Sequence, residues 1–295
     1  MNLMKYKKLF FAISLFFLIP SIFSLVSVGL KPSIDFVGGS QLEIRINDEN
    51  VNETEIFNTL SELYIIDNVK LADNNKYVIS GENINNEIKQ QAIVKLGNKY
   101  QEVAELKFET VGAILSKELL SKTLTALFLV AAIITIYVWK QFDELKYGVC
   151  AILAMFHDSI ILLGTFSILG YFFGVQVDVL FVTALLTTLS FSVHDTIVVY
   201  DRIRELKRKR RAVDYTEIVN MAVTETLSRS INNSITIILM LFSLALLGGD
   251  SIRWFAVALL VGAVTGTYSS TFTAAPLLLL WDEIVIKRSK LKKKK

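Results

Sequence analysis

Apolar residues along this chain gather into long runs instead of alternating with polar ones. Six runs have bilayer-crossing length, roughly Leu9–Leu30, Thr123–Trp139, Tyr147–Gly170, Val177–Tyr200, Ile231–Leu247 and Trp254–Trp281. A helix needs about 20 such residues to cross a hydrocarbon core. The first run follows Lys5, Lys7 and Lys8, as a signal peptide would. Its apolar stretch is too long for that role and no small-x-small site follows cleanly, so it reads as a retained anchor. Pro276 lies inside the last run and predicts a kink in its final turns.

Between the first two runs the pattern changes. Leu42, Ile44 and Ile46 alternate with polar residues, which predicts a strand. Asn52 followed by Glu55 resembles a capping box at the start of a helix carrying Ile56, Leu60 and Leu63. Val69 and Leu71 predict a second strand, Asp73-Asn74-Asn75 a turn, and Tyr77-Val78-Ile79 a third strand. A helix through Ile88, Ala92 and Leu96 and a closing strand near Val103–Val111 complete a βαββαβ order, the ferredoxin-like arrangement. The expected fold class is therefore an α-helical polytopic membrane protein with six transmembrane helices. One α+β ferredoxin-like extracytoplasmic domain stands between helices 1 and 2. That domain has no histidine or cysteine, which leaves no Ser-His, Cys-His or metal constellation and favours a binding or lever role.

Composition sharpens this picture. The chain is 53% hydrophobic, with only 3 prolines and a mean hydropathy of +0.48. One cysteine, Cys150, rules out an intrachain disulfide, and two histidines, His157 and His194, leave no set of ligands for a structural metal. The net charge of +3 matters less than its placement. Lys5–Lys8, Lys140 with Lys146, Arg202–Arg211 and Lys287–Lys295 fall on one side of the six runs, while the short opposite loops carry only Arg253. The positive-inside rule then sets both termini in the cytoplasm. The expected divisions are 1–30 as N-terminus and first helix and 31–121 as the extracytoplasmic domain. Residues 122–286 hold helices 2–6 with a cytoplasmic loop at 201–228, and 287–295 form a basic tail. That tail reads as a solvated topology anchor, not a specific nucleic-acid site.

Ionisable residues inside membrane spans are costly, about +2.5 to +3.5 kcal/mol for a central Asp, and mark functional sites by default. Two groups stand out and echo one another: His157-Asp158-Ser159-Ile160 and His194-Asp195-Thr196-Ile197. Thr183, Thr187, Thr188, Ser190 and Ser192 precede the second, and their hydroxyls are expected to bond backbone and join helices. A partner for Asp195 exists in Arg229, which opens the fifth run at a similar depth across an antiparallel turn. An aspartate that is either neutral or paired with arginine is a two-state element, and proton passage would switch it. His194, His157 and Asp158 are candidate accessory members of that relay. Gly262 and Gly266 give the last span a small-residue face for close helix contact.

Several motifs carry a resemblance. Ser33-Ile34-Asp35-Phe36-Val37-Gly38-Gly39 resembles the Gly-x-Asp-Phe-x-Gly-Gly signature of the SecD/SecF family. The run His194-Asp195-Thr196-Ile197-Val198-Val199-Tyr200-Asp201-Arg202-Ile203-Arg204-Glu205 is similar to that family's Asn-Asp-Thr-x-Val-x-x-Asp-Arg-Ile-Arg-Glu. Thr226-Leu227-Ser228-Arg229-Ser230 and Gly262 through Pro276 match further signatures, although His194 stands where the family has Asn. The resemblance implies a proton-motive-force-driven subunit that promotes late stages of preprotein export, with no cofactor and no covalent chemistry. It implies a SecD partner, the SecYEG channel, YajC and YidC as associates, unfolded exported polypeptides as clients, and the bacterial inner membrane as location. It also implies that Asp195 and Arg229 are the proton-relay pair. The glycines Gly38 and Gly39, with Asp35 and Phe36, are expected to act as a hinge. An efflux or lipid transporter half-unit of the resistance-nodulation-division superfamily is the alternative.

Overall fold

The computed structural model describes residues 2–48, 51–71, 75–100, 102–142 and 144–292. Asp73 and Asn74 of the expected turn and the last three lysines of the tail lie outside the described residues. The chain divides into two compact units, Met1–Lys31 with Ala126–Lys295, and Pro32–Thr125.

The smaller unit opens with Ser33, whose hydroxyl accepts from the Asp35 amide and caps a single turn, α2 (Ile34–Val37). Gly38 and Gly39 follow at φ +80° and +117°, a region L side chains avoid. A Cβ on Gly39 would also lie 2.5 Å from the Gly81 carbonyl oxygen. This signature is thus a tightly packed corner leading into β1 (Gly39–Ile46). There follow α3 (Glu53–Leu60), β2 (Ile66–Leu71), β3 (Lys76–Gly81), α4 (Asn86–Gly97) and β4 (Val103–Val111). The sheet is antiparallel, in the order β2-β3-β1-β4. The alternation seen in the sequence has its reason here. Leu42, Ile44, Ile46, Tyr77 and Ile79 are buried against Ile56, Leu60, Ala92 and Leu96, while their strand neighbours face away. Each such aliphatic burial contributes about 1.5–3 kcal/mol. Asn52 caps α3 as expected, accepting from the Thr54 amide. Glu55 does not close the box; its carboxylate instead meets Lys99 Nζ and Tyr100 Oη, each at 3.2 Å. Those hydrogen bonds, Lys99's first, hold the Glu55 carboxyl below the usual carboxylate range.

Among the described residues the larger unit holds helices long and apolar enough to cross a bilayer, six with the one that begins in the smaller unit. They are α1 (Lys7–Ser27), α5 (Ala113–Gln141), α6 (Leu145–Phe173), α7 (Val179–Lys209), α8 (Tyr215–Leu247) and the pair α9 (Asp250–Ser269) and α10 (Ala275–Lys292). Three boundaries differ from the apolar runs. The expected loop at 201–228 is helical except for Arg210–Asp214. Charged residues end the apolar run there without ending the helix, because Ile203, Leu206, Ile218 and Val219 still face a common core. Helix α5 likewise begins well before Thr123. In the last span the irregularity comes before Pro276, as a π-helical turn over Ser270–Ala274. Pro276 has no amide hydrogen to return to Phe272, so the regular ladder fails one turn upstream of it.

Two helix pairs are locked by small residues. A Cβ on Gly164 of α6 would overlap Ser21 of α1, and Ser24 Oγ meets Ser167 Oγ at 2.7 Å. A Cβ on Gly262 of α9 would overlap Thr188 of α7, with Gly266 against Ser192 one turn further. Tyr200 Oη continues that column by donating to the Ala274 carbonyl at 2.8 Å. Residue numbers rise together along both members of each pair, so each pair runs parallel in one register.

Candidate functional site

Asp195 lies on the buried side of α7 and is 6% exposed. Its Oδ2 accepts from Ser230 Oγ of α8 at 3.0 Å. Together with His194, Val198, Thr226, Arg229 and Asn233 these residues line a cavity of about 230 Å³ between α7 and α8. Arg229 therefore shares the pocket with Asp195, as sequence reasoning expected. Among the described residues, however, the carboxylate is held by the neighbouring serine, not by an ion pair with the guanidinium. His194 is exposed beside them.

The second His-Asp pair is enclosed. Asp158 is fully buried; its Oδ1 lies 2.9 Å from His157 Nδ1 and its Oδ2 accepts from Ser269 Oγ at 2.6 Å. Adjacent residues on a helix do not face each other, so this contact requires both side chains to fold together over α6. Ser269 is the last residue of α9 before the π turn, and Thr273 within that turn meets Ser14 Oγ of α1 at 2.9 Å. The parallel register of α7 and α9 sets Ser269 level with Asp195. The register of α1 and α6 sets Ser14 level with His157. A polar layer thus crosses α1, α6, α9, α7 and α8. Within it His157 Nε2, Ser192 Oγ and Thr196 Oγ1 are buried with no hydrogen-bond partner among the described residues. An unsatisfied buried polar atom costs about 1–3 kcal/mol, which makes three of them in one layer a concentration of stored cost. The hydroxyls nearer the start of α7 behave as expected. Thr183, Thr187 and Thr188 all donate to carbonyls one turn back.

The charged signature at the end of α7 ties helices together. Arg202 binds Glu205 on its own helix and reaches Glu225 of α8, 2.6 Å from Nε. Arg204 meets Asp201 at 3.3 Å and covers the Phe142 ring. Gly262 and Gly266 sit in the α7–α9 contact within the chain itself, against Thr188 and Ser192. Asp35 and Phe36 belong to the α2 corner, where Phe36 is buried. Sequence reasoning missed three participants. Ser230 and Ser269 hold the two carboxylates, but span hydroxyls usually bond their own backbone and nothing in a one-dimensional pattern separates these two. Lys146 was read only as a topology charge; it is 8% exposed, binds both oxygens of Asp282 at 3.0 and 3.1 Å and lies over the Tyr215 ring. A lysine opening one apolar run and an aspartate closing another was the available signal.

Residues 90–284 match the family described as protein export membrane protein SecD/SecF, C-terminal, and residues 23–48 match the SecD/SecF GG motif. A protein translocase subunit SecF from Anaerolinea thermophila is 38% identical over 96% of this chain and 94% of its own length. A protein translocase subunit SecDF from Brucella abortus is 33% identical over 86% of this chain, which spans only 34% of that longer protein. The crystal structure of SecDF, a translocon-associated membrane protein from Thermus thermophilus, superposes with a TM-score of 0.84 at 30% identity. That likeness covers 96% of this chain and 39% of the solved one.

Proposed function

We infer, from the premise that this chain belongs to the SecD/SecF family of protein-export membrane proteins, that it works as the SecF-type half of a two-part translocase. Its near-full-length relatives carry the name protein translocase subunit SecF, which favours export over the efflux reading. SecDF proteins join such a sequence to a longer chain, which supports a SecD-type partner for this one. The lysine and arginine asymmetry supports cytoplasmic termini, and the bacterial relatives named protein translocase subunit SecF support an inner-membrane location. Residues 32–125 are then extracytoplasmic and bind an unfolded polypeptide leaving the SecYEG channel, with YajC and YidC as further associates. In this reading the α2 corner, Asp35 to Gly39, transmits movement to that sheet.

The observation that carries the mechanism is the shared pocket of Asp195, Ser230 and Arg229. An ionised Asp195 accepts from Ser230 and attracts the guanidinium. A protonated Asp195 loses that attraction, so α7 and α8 have different preferred packings in the two states. One charge crossing 100 mV supplies about 2.3 kcal/mol, enough to shift a two-state equilibrium roughly fifty-fold. The proton motive force is thereby turned into helix movement late in export.

Asp195→Asn fixes the neutral state with nearly unchanged shape. In inverted vesicles, with and without an uncoupler, it is expected to fold and bind its partner yet lose all proton-dependent stimulation of export. Arg229→Ala is expected to fail likewise, and His194→Asn to be far milder. Full proton-driven export by Asp195→Asn would overturn the mechanism.

A further inference from the structure

We propose that His157 and Asp158 form a second proton-binding site, one that exchanges a proton at His157 Nε2 and is coupled to Asp195 through the polar layer. Three independent features carry this. First, both Asp158 oxygens are occupied, by His157 Nδ1 and Ser269 Oγ, while His157 Nε2 is buried with no partner. With the carboxylate ionised, Nδ1 carries the hydrogen and Nε2 bears the free lone pair. Second, Ser269, which donates to Asp158, immediately precedes a π-helical turn, a rare geometry found most often at functional sites. That turn touches α1 through Ser14 and α7 through Tyr200. Third, Ser269, which holds Asp158, is level with Asp195, and the partnerless hydroxyls of Ser192 and Thr196 lie on α7 in the same layer.

The chemistry is one proton added to a neutral imidazole. It changes the His157–Asp158 pair from one net negative charge to an imidazolium–carboxylate pair with none, and its release restores the first state. The Nδ1–H···Oδ1 bond persists in both. The other ionisable side chains on elements packed against this part of α6 are few. They are Asp195 and His194 on α7, Tyr200 with its hydroxyl on the Ala274 carbonyl, and Tyr268 of α9 on the Phe10 carbonyl. Asp282 of α10 is held by Lys146. Among the described residues α1 offers only hydroxyls at this level, Ser14 being the nearest in register. Asp195 is therefore the carboxylate on a neighbouring helix that a charge change at His157 would meet.

The coupling rests on the reading that Asp195 exchanges protons; titration of His157 does not. With two histidines in the chain, His194→Asn leaves His157 as the sole imidazole. The full-length variant, labelled with ¹⁵N-histidine in lipid nanodiscs, reports ring protonation and tautomer directly. The expected spectrum shows the Nδ1–H form when the ring is neutral and a separate imidazolium form when Nε2 takes up a proton. Asp158→Leu, which removes the acceptor at Oδ1, is expected to abolish the preference for the Nδ1–H form. Asp195→Asn is expected to displace the midpoint of the His157 conversion. A His157 that stays in one neutral form at every pH at which the protein remains folded, or whose protonation is indifferent to Asp195→Asn, overturns the proposal. Neither result depends on export, so a failure here is distinct from a failure of the Asp195 mechanism.

Discussion

Single residues divide into those whose role shows in their type and those whose role shows only in three dimensions. His157, Asp158, His194 and Asp195 were legible because an ionisable group within an apolar run demands an explanation. Ser230 and Ser269 were not, since a serine can satisfy itself on its own helix. Tyr64 is a residue of the second kind. It is 6% exposed in the core under the sheet, and burial raises its hydroxyl to a pKa of about 12. In the unfolded chain Tyr64 ionises near pH 10. Unfolding therefore releases a proton between the two values, and the contribution is present below pH 10 and lost as pH rises towards 12. That loss is about 2–3 kcal/mol. Tyr64→Phe is expected to abolish it, measured as the difference in urea-unfolding midpoint of the sheet between pH 9 and pH 11.5, followed by circular dichroism in detergent. A wild-type midpoint that does not respond to alkali more than the variant's would contradict the burial argument.

At the scale of elements, apolar run length located the six spans because a bilayer selects for it. The strand alternation in residues 42–46 was equally readable, because one face of the sheet packs on helices. What escaped was helix beyond the apolar run, as in α7 past Tyr200 and α8 before Ile231. There the buried face is only a stripe, and charged residues on the other face conceal it. Helix pairing was half legible. The spacing of Gly262 and Gly266 announced a close contact, but not that Thr188 and Ser192 would fill it. Gly262→Ala puts a methyl 2.9 Å from Thr188 Cβ and closer still to its branches. It is expected to force α7 and α9 apart at a cost of about 1–3 kcal/mol. Thr188→Ala in the same chain is expected to recover part of this, and Gly97→Ala, which meets nothing within 4 Å, to cost nothing. Thermal melts in detergent decide between these outcomes. Equal melting of Gly262→Ala and wild type would refute the close contact.

For the whole molecule, the uneven burial of its spans is the informative quantity. The apolar heart of α6 is largely covered by neighbouring helices, whereas that of α5 buries nothing and that of α8 very little. Leu124, Phe128, Ile133 and Ile136 of α5 and Leu239, Met240 and Phe242 of α8 are exposed. Association in lipid is driven by packing, and a homologous six-span subunit offers surfaces of matching length. Co-expression with the organism's SecD protein is expected to yield a one-to-one complex, seen by size-exclusion chromatography with light scattering. A chain that remains monomeric yet stimulates export would rule out the paired reading. The π turn bears on this larger scale too. A π turn can be regarded as a helix that has absorbed one surplus residue without moving its two flanks. Upstream the span is keyed to Thr188 by Gly262; downstream it is keyed to Lys146 by Asp282. Excising one residue from Ser270–Ala274 should therefore leave only the single bond that Pro276 cannot make, while both flanks keep their seats. The shortened chain is expected to melt no lower than wild type and yet to export without response to the proton gradient. The surplus residue would then be an insertion kept for motion at the expense of regularity.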